Sequence, residues 1–417
     1  MRVTLVTDRY APEARAAAYL SHELAKGLAS LGHNVSVITR MPTQFVPDCE
    51  SAPPEAFETV DGVEVTRVSG ITASSRIWLR LIDQLVVSAK ILCALWTATR
   101  PDVILIYSPP LALSLVAVLM AWVRHWPYVL NLHDLYPQTA IDLGILRNPL
   151  LIWMASHAES LLYRNAARIV VAAPASKRIL VGQKSIAADR IEIIFNYVDT
   201  TVCTPGPLEN GFRARNALEG RFVVLFAGLM GLAQDLTPVV EVARSLQNES
   251  DWVFVLAGDG PRASHWTQLT EGLMNVKMIG LLSYSEYYEA LRASDVCLVA
   301  LSASFVTPAI PGKVSTIMAA GRPLVASVPL GNDTREVLRA ARSGSAVRPD
   351  RPQELMDVLK VLKERPELRS ELGSNGAGYA ALHFEAVIAV KKFEKVLREV
   401  HQGHTWTTLA SESPDRP

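Results

Sequence analysis

The chain has 417 residues, 49% of them hydrophobic, and its 41 lysines and arginines balance its 41 aspartates and glutamates. This length is typical of two or three domains with large cores, and a net charge of zero argues against a general nucleic-acid-binding protein. The four cysteines are scattered without a CxxC pair, which argues against a disulfide scaffold or a structural zinc site and favours a reducing compartment.

Short runs rich in β-branched residues alternate with helical patterns along the chain, which is typical of parallel β-α-β units. The first apolar run ends at once at Asp8 and Arg9, so we expect no signal peptide. The predicted strands of the first half are Val3–Thr7, Val35–Thr39, Val63–Val68, Val103–Tyr107, Tyr128–Leu132, Ile169–Ala172 and Ile191–Phe195. The predicted helices there are Ala14–Leu31, Ser75–Ala98, Leu111–Arg124 and Leu150–Asn165.

A segment rich in proline and glycine at 204–211 predicts a linker, after which the alternation restarts. The predicted strands are Phe222–Phe226, Trp252–Leu256, Val276–Ile279, Val296–Ala300 and Leu324–Ser327, with helices Leu236–Leu246, Arg262–Glu271, Ser285–Arg292 and Val314–Ala320. We predict an α/β protein of two doubly wound, Rossmann-like domains, 1–203 and 212–383, that face a central cleft. A helix at 384–401 has one apolar face and is expected to pack back on the first domain, with a polar tail at 402–417.

The region between residues 67 and 130 raises the question of a membrane. Val103 to Val123 is a run of 21 residues without a charge, but Ser108-Pro109-Pro110 interrupts it, which predicts a strand followed by a helix too short to span a bilayer. The wider region carries six basic and two acidic residues together with four tryptophans. This pattern is typical of a surface resting on anionic lipid headgroups, and also of an ordinary half-buried face with solvated arginines.

Open parallel sheets bind ligands beyond the carboxyl ends of their strands, so two facing domains predict a site in the cleft between them. The loop after the first strand, Asp8 to Ala18, contains no glycine, which argues against the G-x-G-x-x-G of nicotinamide binding. No G-x-x-x-x-G-K-[ST], HExxH or GxSxG occurs, which excludes P-loop chemistry and weakens the metalloprotease and α/β-hydrolase interpretations.

Five segments, in the same order along the chain, carry a resemblance to a known family. They are Tyr10-Ala11-Pro12-Glu13 with the stretch Glu23–Thr39, Asn131–Pro137 (NLHDLYP), Phe226–Leu236 (FAGLMGLAQDL), Leu256–Pro261 (LAGDGP) and Pro311–Ser327 (PGKVSTIMAAGRPLVAS). Over about residues 1–400 the chain resembles the GT-B retaining glycosyltransferases of family 4. The NLHDLYP segment is similar to that of the subgroup resembling the colanic-acid and N-acetyl-L-fucosamine transferases.

This resemblance implies a retaining enzyme that moves a sugar from a nucleotide-diphosphate sugar, expected to be UDP-linked, to a lipid-linked saccharide in bacterial surface-polysaccharide synthesis. It implies no metal and no other cofactor, and no nucleic-acid partner. The expected location is cytoplasmic, with peripheral contact of the basic, tryptophan-rich surface with the inner face of the plasma membrane.

The candidate catalytic residues lie in the first domain. His133 follows an apolar strand, where cleft residues sit, and resembles the family histidine that contacts the donor sugar. Asp134 is expected to orient the acceptor hydroxyl or to pair with a cation, with a helix N-cap role as the alternative. In the loop after the first strand, Glu13 is expected to bind the acceptor and Arg15 to face the donor phosphates, although alanines replace the family's glycines there.

The donor side departs from the family pattern. The arginine and lysine that hold the diphosphate in much of the family correspond to Leu229 and Gln234, so the diphosphate charge must be met elsewhere. Lys313 at a helix start, and Arg262, are the candidate cations. The other expected contacts to the nucleotide are Gly228, Gln234 and Gly260.

The family's E-x7-E pair falls on Pro308 and Thr316, and neither is a carboxylate. Thr316 is expected to contact the ribose more weakly than a glutamate would, and Glu336 is a candidate for a later acidic contact or simply a first-turn glutamate. The missing carboxylates keep two alternatives open. One is a non-catalytic nucleotide-sugar-binding subunit of a transferase complex, and the other is a GT-B nucleotide-sugar 2-epimerase.

Overall fold

A computed structural model describes residues 1–13, 15–43, 54–71 and 77–412 of the chain. It contains two sheets, and the strands of both run parallel except for one edge strand of the first sheet. The prediction of an α/β protein with two doubly wound domains is confirmed.

An eight-stranded sheet forms the centre of the first domain. Its strands are β1 (Arg2–Val6), β2 (Asn34–Arg40), β3 (Phe57–Val60), β4 (Val63–Val68), β5 (Val103–Ser108), β6 (Tyr128–Leu132), β7 (Arg168–Val171) and β8 (Ile191–Ile193). Their spatial order is β3-β4-β2-β1-β5-β6-β7-β8. The helices are α1 (Ala16–Ser30), α2 (Ile77–Thr97), α3 (Leu111–Arg124), α4 (Gln138–Asp142), α5 (Pro149–Asn165) and α6 (Pro174–Gly182), with a 3₁₀ turn at Ala188–Arg190.

The second domain has a six-stranded parallel sheet. Its strands are β9 (Phe222–Ala227), β10 (Trp252–Ala257), β11 (Val276–Ile279), β12 (Val296–Ala300), β13 (Leu324–Ser327) and β14 (Gly344–Val347). Their spatial order is β11-β10-β9-β12-β13-β14. The helices are α7 (Gly211–Arg215), α8 (Thr237–Ser245), α9 (Ala263–Leu269), α10 (Tyr284–Arg292), α11 (Lys313–Ala319), α12 (Thr334–Ala341), α13 (Pro352–Glu364), α14 (Pro366–His383) and α15 (Ala386–Glu412).

The central strands are mostly apolar because helices cover both faces of each sheet. Every residue of β5 and of β9 is buried. In β1 the side chains alternate between the two cores: Val6 packs beneath α2 and α3, and Val3 and Leu5 pack against α1 and α15.

The chain crosses between the domains twice, at adjacent places. The amide of Val198 donates to the carbonyl of Phe384 over 2.8 Å, and the amide of Ala386 donates to the carbonyl of Val198 over 3.0 Å. Helix α15 then packs on α1, where a Cβ on Gly27 would lie 2.6 Å from Cγ2 of Val390. The glycine therefore lets the C-terminal helix approach the first domain closely.

Several elements differ from the sequence predictions. The hairpin of β3 and β4 was not predicted, although its Asp61-Gly62 turn, with positive φ at both residues, is a typical hairpin signal. Helices α4, α6, α7 and α12–α14 and strand β14 were also missed. Helix α15 runs past the predicted end at residue 401 to Glu412, since no proline interrupts it before Pro414. Ala14 and Ser75, predicted at helix starts, lie outside the described residues.

The apolar run from Val103 to Val123 forms β5 and most of α3, as its interrupting prolines indicate. In the part of the chain that the structure describes, no helix combines the length and apolarity needed to cross a bilayer.

Candidate active site

A cavity of about 390 Å³ lies between the two domains, at the carboxyl ends of β9 and β10. Arg15, Tyr19, Asn196 and Tyr197 line it from the first domain. The second domain contributes the loops after β9 and β10, the helix α10 and the start of α11. Its contributing side chains and loop residues include Gly228, Leu229, Gln234, Gly258, Asp259, Tyr284, Tyr287, Tyr288, Lys313 and Thr316.

The loops after β9 and β10 pack backbone against backbone. Gly258 has a φ of +136°, and a Cβ there would lie 1.9 Å from the carbonyl oxygen of Gly228. Gly260 has a φ of +152°, and a Cβ there would lie 2.6 Å from the carbonyl oxygen of Met230. These glycines allow the loops after β9 and β10 to approach each other closely beside the cavity. Gly260 itself does not line the cavity.

Lys313 reaches into the cavity from the first residue of α11. Its Nζ atom is buried, lies 3.7 Å from the centroid of the Phe226 ring and has no hydrogen-bond partner among the described residues. Gly228 leaves room for it, because a Cβ at that position would lie 3.1 Å from Nζ. Burial lowers the pKa of Lys313 to about 7. Among the described residues the amine therefore has unused donors, and it belongs to a residue that lines the cavity, where an anion would stabilise its charge.

Arg15 is the cation of the first domain at this cavity. Burial lowers its pKa, the charge of Arg9 lowers it further, and the charges of Glu13 and Asp259 raise it. Asp259 belongs to the second domain and also lines the cavity. Arg15 and Lys313 thus bring one positive charge from each domain to the same cavity.

A hydroxyl pair occupies the position where the family pattern has its second glutamate. The Tyr287 hydroxyl and Oγ1 of Thr316 are 2.7 Å apart, and Oγ1 also donates to the carbonyl of Lys313 over 3.1 Å. Burial raises the pKa of Tyr287, so its hydroxyl stays protonated. Thr316 lines the cavity, whereas the buried Pro308 does not.

Gln234 and Arg262 mainly shape the loop after β9. Oε1 of Gln234 accepts from the amide of Gly231 over 3.0 Å, and its backbone carbonyl accepts from Nη1 of Arg262 over 3.3 Å. The Arg262 guanidinium stacks over Trp266 at 4.3 Å. Gln234 lines the cavity, but Arg262 does not.

Glu13 is buried outside the cavity lining. Its Oε1 accepts from Nη1 of Arg9 and, over 2.9 Å, from the hydroxyl of Thr43. Its other oxygen, Oε2, is buried and has no hydrogen-bond partner among the described residues. The expected contact of Glu13 to an acceptor hydroxyl stays a prediction.

His133 and Asp134 follow β6 and also lie outside the cavity lining. The His133 ring stacks on Tyr107 with 4.2 Å between centroids, and its amide donates to the carbonyl of Ser108 over 3.0 Å. Burial lowers the pKa of His133 to about 4 and raises the pKa of Asp134. The N-cap of α4 is Pro137, so Asp134 does not cap that helix.

Glu336 lies in the first turn of α12 with 71% of its side chain exposed, 3.3 Å from Arg339. It does not line the cavity. Its position matches the alternative of a first-turn glutamate rather than an acidic contact to the nucleotide.

Two family models match the chain in succession. The "Glycosyl transferase 4-like domain" matches residues 16–196, and the "Glycosyl transferases group 1" domain matches residues 221–364. Together they cover well over half of the chain. The chain belongs to the GT-B glycosyltransferases.

Two relatives of this glycosyltransferase are also named as sugar transferases. It is 24% identical over 306 residues to the probable glycosyltransferase WbjE of Pseudomonas aeruginosa, covering 72% of this chain and 75% of that protein. It is also 24% identical over 298 residues to the alpha-D-kanosaminyltransferase of Streptomyces kanamyceticus, covering 68% and 73%. Sugar transfer from a nucleotide sugar, as the motifs imply, agrees with these matches.

Solved structures share the fold of this glycosyltransferase. HepE of Anabaena in complex with UDP-glucose superimposes with a TM-score of 0.70 at 17% identity, over 96% of this chain and 100% of that one. Sucrose-phosphate synthase of Thermosynechococcus elongatus has a TM-score of 0.73 at 14% identity, over 97% and 100%. At these identities the likeness establishes the GT-B fold.

The sequence analysis missed a set of tyrosines in the glycosyltransferase's cavity. Tyr284, Tyr287 and Tyr288 recur at the i, i+3, i+4 spacing of one helix face, and this was the available signal. Tyr19 faces them from α1, with its ring 5.8 Å from that of Tyr284. Tyr197 comes from the segment where the chain crosses between the domains, which no local pattern indicates.

No cluster of three or more metal-ligating side chains occurs within the described ranges. Metal independence stays a prediction.

Proposed function

We propose that this chain transfers a sugar from a UDP-sugar to a lipid-linked saccharide at an anionic membrane surface, with retention of configuration, in surface-polysaccharide synthesis. The observation that carries the donor assignment is that Lys313 lines the interdomain cavity and that its buried Nζ has no hydrogen-bond partner among the described residues. A cation with unused hydrogen bonds in a cavity at strand ends suits a diphosphate.

In this proposal Lys313 and Arg15 hold the diphosphate from opposite domains. Negative charge develops on the diphosphate as it leaves the sugar, and preorganised cations in a partly dry site stabilise that charge. Lys313 therefore takes over the task of the cations that are absent at Leu229 and Gln234. Closure of the two domains around the donor would exclude water and limit hydrolysis.

The tyrosine-rich wall suits the nucleoside. Tyr284, Tyr287 and Tyr288 offer aromatic faces for a base, and the Thr316 hydroxyl is positioned for a ribose hydroxyl. The choice of uridine is supported by the shared fold of HepE, which binds UDP and UDP-glucose.

The acceptor side is supported by an exposed surface that we name the three-helix face. It consists of the outward sides of α2, α3 and α5, which lie side by side on one face of the first sheet. Its exposed apolar residues are Ile82, Leu85, Trp96, Leu119, Trp122, Val123, Leu150, Leu151, Trp153, Met154 and Leu161. An exposed apolar surface of this extent is unusual for a soluble protein and suits the boundary of a bilayer.

The charges on the three-helix face favour anionic lipid. Lys90 and Arg164 are exposed, and the exposed Arg124 lies 4.8 Å over the Trp96 ring. The two acidic residues of these helices, Asp83 and Glu159, are buried in ion pairs with Arg40 and Lys184 respectively. Arg76 lies outside the described residues, and the side chains of Trp78 and Arg80 are not described. A cytoplasmic enzyme resting on the inner face of the plasma membrane would meet a lipid-linked acceptor there.

The retaining stereochemistry, the subgroup and the polysaccharide role are supported by the five ordered motifs. In this proposal His133 contacts the donor sugar, while Asp134 and Glu13 act on the acceptor. The neutral imidazole of His133 suits hydrogen bonding to a sugar hydroxyl.

A non-catalytic nucleotide-sugar-binding subunit is the second candidate, favoured by the hydroxyl pair of Thr316 and Tyr287 at the expected carboxylate position. The epimerase alternative requires cleft carboxylates, and among the described residues that line the cavity Asp259 alone carries one.

The deciding experiment incubates purified protein with labelled UDP-sugars and a bacterial membrane extract. Label in butanol-extractable lipid supports the transferase. Conversion of the free donor would instead support the epimerase, and binding of UDP without turnover would support the subunit.

A further inference from the structure

The segment between β12 and α11, residues 301–312, leads directly into Lys313 and is held from both domains. Within the second domain, the amide of Ser302 donates to the carbonyl of Ala233 over 2.8 Å, and Asn332 donates to the carbonyl of Ala309 over 3.0 Å. From the first domain, Nδ2 of Asn196 donates to the carbonyl of Ile310 over 3.1 Å.

The strongest of these contacts between the domains is made by Asp142. Its Oδ2 accepts from the amide of Thr307 over 2.9 Å and from the Thr307 hydroxyl over 2.5 Å. Its Oδ1 accepts from Nε2 of Gln138 over 2.7 Å. Thr307 is buried, and hydrogen bonds to a carboxylate are about twice as strong as neutral ones. The carboxylate therefore holds a buried loop residue of the opposite domain at two points.

Asp142 is joined to the part of the first domain that carries His133. It is the last residue of α4, and α4 continues from the loop 133–137. The amide of Thr139 donates to the carbonyl of Leu135 over 2.9 Å, and Leu135 is buried in the core of the first domain. The short helix α4 thus connects the loop that carries His133 to the segment 301–312, which leads into Lys313.

We propose that Asp142 is a positioning residue that holds Thr307 and so sets Lys313 at a fixed distance from the His133 loop. The proposal rests on the proposed function, since it assigns Lys313 to the donor phosphates. Asp142 does not line the cavity and acts through Thr307. Through this contact, donor binding in the second domain is coupled to the loop 133–137 of the first domain, which carries His133.

The first test needs no ligand. Amide hydrogen exchange, followed by mass spectrometry, is compared between the wild-type protein and Asp142→Ala. We expect exchange in residues 302–312 to rise by about tenfold or more, with the β-sheet cores unchanged. Asp142→Asn keeps an oxygen that accepts from Thr307 but removes the charge, and its exchange should lie between that of wild type and that of Asp142→Ala. Gln138→Ala removes only the other contact of Asp142 and serves as the matched control. Equal exchange in Asp142→Ala and wild type overturns the proposal.

The second test measures UDP affinity by calorimetry in a double-mutant cycle. In the wild-type background, Asp142→Ala should raise the Kd for UDP by about tenfold. In the Lys313→Met background it should raise the Kd by less than about twofold, because the effects of coupled residues are not additive. If Asp142→Ala raises the Kd for UDP equally in both backgrounds, Asp142 does not act through Lys313. Such a result would indicate general destabilisation instead. Should the wild-type protein bind no UDP, the donor assignment fails, and the exchange experiment still decides the positioning role by itself.

Discussion

The Nζ atom of Lys313 lies over the Phe226 ring, 3.7 Å from its centroid, buried and without a hydrogen-bond partner among the described residues. An aromatic face compensates only part of the lost hydration of an ammonium group. This is why burial lowers the pKa of Lys313 to about 7 and why an anion in the cavity would be attracted to it.

Replacing Lys313 by methionine should weaken UDP binding. The methionine keeps much of the side-chain volume but removes the charged hydrogen bonds to the diphosphate. We expect the Kd for UDP, measured by calorimetry, to rise by about ten- to a hundredfold. The exposed Lys391→Met on α15 is the matched control and should bind like wild type. Unchanged affinity in Lys313→Met would remove this lysine from the donor site.

UDP binding should depend on pH through Lys313. With a pKa of about 7 in the free protein, the amine loses its charge as the pH rises, whereas bound diphosphate favours the charged form. The Kd should therefore increase between pH 7 and pH 9 by up to about tenfold per pH unit. Lys313→Arg, which stays charged, should flatten this dependence. A profile that is the same in wild type and Lys313→Arg would contradict the assignment.

The same lysine should lower the stability of the unliganded protein. Its folded pKa lies below its unfolded value, so the unfolded chain binds more protons between pH 7 and about 10.5, and stability rises with pH over this window. Lys313→Met should therefore melt at a higher temperature than wild type at pH 7, and the difference should shrink towards pH 10.

His133→Ala should reduce turnover with little effect on UDP affinity, because His133 lies outside the cavity lining. We expect kcat for sugar transfer to fall by about a hundredfold, a typical contribution of a group that assists at the reaction centre. With a pKa of about 4, the imidazole is neutral from pH 5 to 8, so His133 should produce no inflection near pH 6.5. His383→Ala, an exposed position in α14, is the control. An unchanged kcat in His133→Ala would reject its catalytic role.

Gly258→Ala should destabilise the second domain strongly. Its φ of +136° is unfavourable for alanine, and the new Cβ would lie 1.9 Å from the carbonyl oxygen of Gly228. We expect the free energy of unfolding to fall by about 3 kcal/mol or more in urea denaturation. Gly378→Ala, in the exposed interior of α14 with open space around it, should instead be neutral or stabilise by up to about 1 kcal/mol. Similar stabilities for the two variants would show that the loops do not need this close approach.

Glutamate at the centre of the three-helix face should weaken membrane binding. Trp122→Glu combined with Trp153→Glu places two negative charges among exposed apolar residues, and we expect co-sedimentation with phosphatidylglycerol vesicles to fall by about tenfold or more. Met274→Glu alters a residue of the second domain that is 91% exposed and should bind as wild type does. Equal binding of all variants, or no binding of wild type, would remove the membrane contact.

Much of the architecture was predictable because the relevant signals are local. Continuous apolar runs such as those of β5 and β9 indicate buried parallel strands, and the Pro/Gly composition around residues 204–211 indicates a break between two units. Some of the missed elements are short or weakly patterned: α4 has five residues, and the polar α14 has no apolar stripe that a periodicity could reveal. Others carried a usable signal, since α13 buries leucines at the i, i+4, i+7 spacing of one helix face.

By itself the sequence determined the fold class and the family, since both are encoded in residues close together in the chain. It also placed Gly228, Gln234, Lys313 and Thr316 at the cavity, because each lies at a strand-to-helix loop whose location follows from the parallel topology. Tertiary structure alone decided that Arg262 donates to the carbonyl of Gln234, that Glu336 faces solvent, and that Asp142 holds Thr307 across the cleft. These outcomes depend on residues that are distant in sequence, and burial and hydrogen bonding between the two domains have no counterpart in a local pattern.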